Sequence, residues 1–355
     1  MKLTDKQKHV LYKIVSDVKK GVDEVKMAGY AGTGKSTLIK YLVKFFPEFA
    51  VCAYTGKAAN VLREKGIDKD KASTIHSLIY TPQTDHDGIL YFALSHGLWN
   101  EGIIVDEASM VSEDIYYDLK SFNIPLIFIG DHGQLEPVGS DFNLMKNPNY
   151  VLEEIHRNAG EIARFGEFIR RGYNTSKYKV NDKSKIEFIT QRSLSVKDYL
   201  NADQIICAFN KTRVKINKIV REAQGYSGTI NIGEKIMCLK NNKTLRLFNG
   251  MQGIVTNLHK GKYGKNLIDF KFGNEKFENI WYDTEQFGKE KYKMDKYDRN
   301  SPSPFDYASC ITCHKSQGDQ WDKVLVLEQK CRGWDHKRWA YTAATRAKNH
   351  LKWAY

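Results

Sequence analysis

The sequence predicts an α/β protein with two parallel-sheet domains. A small β-barrel-like module interrupts the second domain, and a short β-hairpin interrupts the first. Three observations carry this. Short apolar runs alternate with helical periodicities, which implies parallel sheets covered by helices. A glycine-rich phosphate loop, Gly29–Ser36, lies between a strand and a helix. Residues from about 233 to 299 break the rhythm with alternating apolar and polar positions, many glycines and many aromatics.

In order, Thr4 to Lys20 reads as a helix with Val10, Leu11, Ile14, Val15 and Val18 on one side. Val25–Ala28 is a strand, Lys35–Phe46 a helix stopped by Pro47, Phe49–Ala53 a strand and Lys57–Glu64 a helix. Ile103–Val105, the helix Glu113–Phe122 and Leu126–Ile129 complete the first domain. The second begins with a helix near Ile162, the strand Gln204–Ala208 and the helix Lys211–Glu222. It resumes after the module with strands at Tyr307–Thr312 and Lys323–Leu327, reached through the linker Ser301–Pro304. The expected boundaries are 1–155 with the hairpin insertion at 78–101, then 156–232 with 301–355, and 233–300 for the module.

Composition excludes several classes. The chain has 355 residues, 41% hydrophobic and 27% charged, the balance of a folded domain and not of a disordered chain. No apolar run spans a bilayer, the start lacks a signal peptide's apolar core, and six cysteines are too few for a disulfide framework. A reducing cytosol and no membrane partner are the expectation. The net charge of +13 points to a polyanion, and nine Lys or Arg against two Glu crowd residues 205–250. Lys211, Lys215 and Lys218 share a helical face there, which is either a nucleic-acid contact or a solvated surface.

Gly29-Tyr30-Ala31-Gly32-Thr33-Gly34-Lys35-Ser36 fits G-x-x-x-x-G-K-[ST]. Its backbone N–H groups, from Gly29, Ala31, Gly32, Thr33 and Gly34 on to Thr37, would curl around phosphates at a helix N-terminus. Lys35 would reach the β/γ-phosphates, and the Ser36 hydroxyl would complete a Mg²⁺ site with Asp106. Glu107, after an apolar strand and Asp106, would activate a water, so ATP hydrolysis is favoured over transfer to a substrate. Gln134 follows the next strand, where an amide could sense the γ-phosphate.

These segments, with Thr55–Ala59, Ser73–Ser77, Glu153–Arg157, Thr312–Gly318 and Tyr341–Ala347, resemble the successive motifs of superfamily 1 helicases, in the RecD/Dda-like branch. The resemblance implies two RecA-like domains, ATP and Mg²⁺ as cofactors, and 5′ to 3′ movement on single-stranded DNA. It implies arginine fingers at Arg157 and Arg346, and Gln317 and Gly318 at the nucleotide. Gln7 would read adenine, although Thr4-Asp5-Lys6-Gln7 also spells a capping box, and the two uses stay open. Nucleic-acid contacts are implied at Thr55, Lys57, Thr74 and His76 in the first domain and Thr312, His314 and Lys315 in the second. Asn210 joins them on position alone. His76 is alternatively a buried structural histidine.

Cys310-Ile311-Thr312-Cys313-His314 matches haem attachment only superficially, and a zinc set with Cys331 is incomplete, so neither metal is expected. The module's aromatics (Phe270, Phe272, Phe277, Trp281, Tyr282, Phe287) are expected in its core. In the hairpin, turned at Asp87-Gly88, Tyr91 or Phe92 would be the pin that splits a duplex junction, or both would anchor the hairpin. RNA unwinding and a nucleotide-gated clamp without stepping are the rival functions. The expected partners are single-stranded DNA and duplex junctions, then replication or single-strand-binding proteins. A monomer is the default, since both fingers are supplied in cis. So compact a version fits a virus-encoded protein in a host cytoplasm.

Overall fold

The structure, a computed structural model, describes residues 3–355 apart from 69, 85–89, 137–141, 155–159, 241, 243, 244, 246, 248, 274, 292–300 and 331–332. It divides into two compact units, Met1–Ala163 and Arg164–Tyr355.

The first unit runs α1 (Asp5–Lys19), β1 (Glu24–Gly29), α2 (Lys35–Phe45), β2 (Phe49–Ala53), α3 (Gly56–Glu64), β3 (Ala72–Thr74), α4 (Ile75–Ile79), β4 (Tyr80–Thr84), β5 (Leu90–Leu94), β6 (Gly102–Asp106), α5 (Glu113–Lys120), β7 (Leu126–Gly130) and β8 (Tyr150–Leu152). Among the described residues its main sheet has the order β3-β2-β6-β7-β1-β8, with every pairing parallel. Every residue of β2, β6 and β7 is buried, as strands covered on both faces must be. The apolar stripe of α1 (Val10, Leu11, Ile14, Val15, Val18) packs into the core beside Leu38, Ile39 and Leu42 of α2. β4 and β5 form the expected antiparallel hairpin, with Tyr80 and Leu94 packed at its base. Its Asp87-Gly88 turn lies outside the described residues.

After α6 (Gly160–Arg170), within which the division falls, come β9 (Ile186–Ile189), α7 (Val196–Leu200), β10 (Gln204–Cys207), α8 (Asn210–Ala223), β11 (Lys235–Cys238), β12 (Gln252–Lys260), β13 (Asn266–Phe272), β14 (Glu275–Trp281), β15 (Phe305–Tyr307), β16 (Cys310–Thr312), β17 (Trp321–Leu327), α9 (His336–Ala344) and β18 (Ala347–Ala354). A parallel sheet of order β16-β10-β17-β18-β9 carries the second unit, and an antiparallel sheet of order β14-β13-β12-β11-β15 forms the module. Phe270, Phe277 and Tyr282 fill the module core with Phe272 and Phe287 against it. Trp281 stays out of that core, beneath the Lys265 ammonium 4.0 Å from its ring centre.

One strand differs from expectation. Tyr307–Thr312 is not continuous: β15 pairs antiparallel with β11 in the module, and β16 pairs parallel with β10 in the other sheet. The module's sheet therefore extends past residue 300, through the segment expected to be a return linker. Buried Asn217 on α8 explains how the break is tolerated. Its Nδ2 donates to the carbonyls of Tyr307 (3.3 Å) and Cys310 (2.9 Å), and its Oδ1 accepts from Cys310 N (2.8 Å). Asp306 is anchored by an ion pair with buried Arg213 and accepts from the backbone N–H of Gly288 and Tyr307.

Asn217→Ala is expected to destabilise the second unit by about 2 kcal/mol or more, because each buried group left unpaired costs about 1–3 kcal/mol. Urea unfolding followed by tryptophan fluorescence is suited to this, since of the six tryptophans only Trp99 lies in the first unit. A loss below about 0.5 kcal/mol would show that water replaces the asparagine at no cost.

Candidate active site

Parallel pairing brings the carboxyl ends of β1, β7 and β6 to one edge, and the conspicuous polar segments begin there. The phosphate loop leaves β1 at Gly29 and ends at Gly34, the N-cap of α2, whose φ of 90° is a left-handed conformation that glycine adopts without penalty. At Gly29 a side chain would put Cβ 2.6 Å from Thr33 Oγ1, so only glycine leaves the loop its close turn. The Lys35 ammonium donates to the carbonyls of Gly29 (2.8 Å) and Tyr30 (3.2 Å) and lies 3.9 Å from Asp131 Oδ2. Thr33 Oγ1 donates to Tyr30 O (2.8 Å), closing the loop on itself.

Both proposed uses of Gln7 bear on one buried side chain. Its Oε1 accepts from Thr4 N (3.0 Å), so the capping box is present. Its Nε2 donates to Thr33 O in the phosphate loop, 2.8 Å away.

Asp106 and Glu107 follow β6. Glu107 has φ 53°, ψ 39°, a left-handed conformation that costs a non-glycine residue about 1–3 kcal/mol. Its N–H donates to Asp106 Oδ1 (2.9 Å), and its Oε2 is buried with no hydrogen-bond partner among the described residues. Burial, reinforced by the neighbouring Glu107 charge, pushes the Asp106 carboxyl up to about 6. The next strand delivers Asp131, fully buried, whose carboxylate accepts from Gly133 N (2.9 Å) and Gln134 Nε2 (3.2 Å).

Ser36 Oγ and the Asp106 carboxyl are the hard oxygen donors that a magnesium ion takes. That they suit a cation is visible without one: the Lys65 ammonium donates to Ser36 Oγ at 2.9 Å and feels the Asp106 and Glu107 charges. The residues fit the ion.

The implied nucleic-acid residues also sit at strand ends. Thr55 and Thr74, after β2 and at the end of β3, cap α3 and α4 by accepting from Ala58 N and Ser77 N. The α3 backbone carries Lys57. His76 is half-buried between the rings of Tyr54 and Tyr80, so neither of its expected settings is complete. In the second unit, Thr312 ends β16 beside the end of β10, which leads to Asn210. His314 meets Trp334 edge to face, and burial lowers its imidazole below the ordinary value. The Lys315 ammonium donates to Asn249 Oδ1 (2.7 Å). Lys211, Lys215 and Lys218 are exposed on α8, but Arg213 and Arg221 of the same basic run are taken up structurally, by Asp306 and Glu234. Cys310 and Cys313 are both core residues.

Arg346 is buried. Its Nε donates to Thr342 O (3.0 Å), Nη1 to Asp319 O (3.2 Å) and Nη2 to Thr345 Oγ1 (3.1 Å). Gln317 is buried and Gly318 has φ 79°. Arg157 lies outside the described residues. Phe92 is 45% exposed and opposite Pro82, and Tyr91 is opposite Gln83. Sequence reasoning missed Asp131, whose signal was the same as at Asp106, an acid directly after an apolar strand. It also missed Lys65, for which there was no signal, and the fully exposed Trp99 beyond the hairpin.

A family model described as an AAA domain matches residues 2–191, more than half of the chain. The chain belongs to this family. A UvrD-like helicase C-terminal domain model matches residues 307–352. The chain is 26% identical over 428 residues to the uncharacterized protein MJ1519 of Methanocaldococcus jannaschii, covering 92% of this chain and 36% of that protein. It is 26% identical over 251 residues to the ATP-dependent DNA helicase dda of Enterobacteria phage T4, covering 62% of this chain and 57% of that one. The chain thus spans little more than a third of the former relative and just over half of the latter. The RecD subunit of Buchnera aphidicola RecBCD is 23% identical over 467 residues, covering 98% and 73%. A structure of Bacteroides Pif1 bound to single-stranded DNA superposes with TM-score 0.65 at 21% identity, covering 99% of this chain and 92% of that one. Pif1 from Candida albicans gives 0.56 at 19% identity, covering 100% and 94%. These structures share the fold, and the matches to Dda and RecD bear out the expected resemblance to RecD/Dda-like superfamily 1 helicases.

The raised Asp106 carboxyl makes stability pH-dependent. The folded chain holds this proton up to about 6, against an ordinary value of 3.8. Its contribution is greatest below 3.8 and is lost as pH rises through about 6. Parent protein without nucleotide is expected to lose stability across that window relative to Asp106→Asn. Parallel thermal melts of both proteins would show no divergence if the carboxyl titrates normally.

Proposed function

We propose that this chain is an ATP-dependent DNA helicase that moves 5′ to 3′ along single-stranded DNA and opens duplexes. One observation carries the hydrolytic part: a strained Glu107 whose buried carboxylate oxygen has no partner among the described residues, next to Asp106 and to the edge that holds the phosphate loop. An acceptor without a protein donor is suited to hold and deprotonate a water. The loop N–H groups would hold the ATP phosphates and Lys35 would turn from the Gly29 and Tyr30 carbonyls to them. Gln134 would sense the γ-phosphate. A bound magnesium ion, held by Ser36 and Asp106, would neutralise charge between the phosphates.

Arg346 would leave its acceptors in the second unit and, with Arg157, reach the γ-phosphate when the domains close, so that hydrolysis follows closure. DNA is the proposed strand because the phage T4 relative is named a DNA helicase and the Bacteroides Pif1 structure holds single-stranded DNA. Thr55, Lys57, Thr74 and His76 on one unit and Asn210, Thr312, His314 and Lys315 on the other would grip its backbone alternately. The domains are proposed at 1–155, at 156–232 with 301–355, and at 233–300, with β15 of the 301–355 stretch completing the module's sheet. Among the described residues no helix is long and apolar enough to cross a membrane. A monomer acting in the cytoplasm is proposed.

ATPase with and without single strands, and displacement from duplexes carrying a 5′ or a 3′ tail, test the proposal. DNA-stimulated turnover with unwinding only from the 5′ tail is expected. Unwinding from the 3′ tail overturns the polarity, and unstimulated ATPase overturns the helicase. Arg346→Ala should lower turnover by about 10³ or more while ADP affinity changes little. Glu107→Gln should bind ATP and scarcely hydrolyse it.

Phe92→Ala and Tyr91→Ala separate the two candidate pins. The correct one should lose unwinding but keep stimulated ATPase, because aromatic stacking on an exposed base supplies about 1–3 kcal/mol only at the junction. Normal unwinding by both variants would leave the hairpin without a pin.

A further inference from the structure

We propose that Lys65 is a resident counter-cation for the metal locus, which a magnesium ion must displace when nucleotide binds. This rests on the nucleotide-site assignment above. Lys65 directly follows α3, and nothing in the phosphate-loop motif calls for a lysine there. Yet its ammonium donates to Ser36 Oγ at 2.9 Å, the hydroxyl assigned to the metal. Its attractive charged neighbours are Asp106 and Glu107, and its repulsive ones are Lys35 and Lys40.

The two lysines share the edge. Lys35 lies by Asp131 and the loop carbonyls and also acts on Asp106, while the Lys65 ammonium sits on Ser36 within the field of Asp106 and Glu107. Two adjacent carboxyl groups at the end of a buried strand need positive charge nearby, and in the free protein Lys65 adds to that of Lys35 from a flexible four-carbon stem. A magnesium ion bound by Ser36 and Asp106 would meet that ammonium on its own ligand. Like charges at one hydroxyl repel, so the side chain must swing away. Metal binding then carries the cost of displacing it, and removing the ammonium should tighten the metal.

The test reads binding, not turnover. Fluorescent mant-ADP is bound to the full chain while Mg²⁺ is raised from zero, for parent, Lys65→Met, Lys65→Gln and Lys40→Met. The Mg²⁺ concentration at half-saturation should fall about fivefold or more in both Lys65 variants. It should move less than about twofold in Lys40→Met, which removes an equal charge from the exposed side of α2. An unchanged half-saturation in the Lys65 variants, or an equal shift in Lys40→Met, overturns the proposal. Lys35→Ala separates the two levels. Parent-like mant-ADP binding by that variant would mean the nucleotide site itself is misassigned, whereas its loss together with unshifted Lys65 variants removes Lys65 alone.

Discussion

Everything in the first unit depends on parallel pairing around three adjacent strands. Because β1, β7 and β6 run the same way, their carboxyl ends must meet at one edge. β6 and β7 are apolar and buried along their length, so their acidic groups appear where the strands end. That concentrates Asp106, Glu107 and Asp131 in a small space. Separately, each would be an ordinary carboxylate after a strand. Together they form a field that only cations can balance, and the fold supplies Lys35 and Lys65. Phosphate binding reverses the problem, because the incoming charge is also negative. The loop answers with backbone N–H groups, which add positive potential without adding a mobile charge.

The second unit uses the same edge differently. Its parallel strands end at Thr312 and near Asn210 instead of at a phosphate loop. The guanidinium of Arg346 is held by three acceptors of its own unit. Two of those acceptors are carbonyls and one is a hydroxyl, so among the described residues no opposing charge locks it. A guanidinium bonded to neutral groups gives up less on moving to a phosphate than one in a buried ion pair would, since breaking such a pair leaves an uncompensated buried charge at a cost of about 3–5 kcal/mol. The buried Arg213–Asp306 pair shows the contrast: there charge meets charge, and the pair fastens the module's β15 to α8.

Much of this was legible. The strands that carry the chemistry are short apolar runs bounded by glycine or acid, and the loop motif needs its strand and helix on either side. What was not legible has physical causes. β18 was not expected, because the polar run Lys348-Asn349-His350 leaves only Leu351-Lys352-Trp353 to alternate, too short a pattern to mark a strand. In the fold it is a strand between β17 and β9, its apolar half buried. β15 and β16 read as one strand because only Ala308 and Ser309 separate Tyr307 from Cys310, with no glycine or proline between them. Asn217 and Gln204, both distant in sequence, supply bonds that let the chain change sheets. Lys65 was invisible because its partner, Ser36, is 29 positions away.

Gln7 shows how a local pattern and a distant contact can coexist. The capping box uses its carbonyl oxygen, and the amide nitrogen is left to reach across to the phosphate loop. Because the side chain is buried, neither bond can be exchanged for water without cost. A base ring that drew this amide towards itself would compete with Thr4 N–H or Thr33 C=O. Displacing the first would loosen the start of α1, and displacing the second would free the loop beside Lys35. The glutamine therefore couples the first helical turn of the chain to the conformation of the phosphate loop, and no residue between them needs to move for that coupling to act.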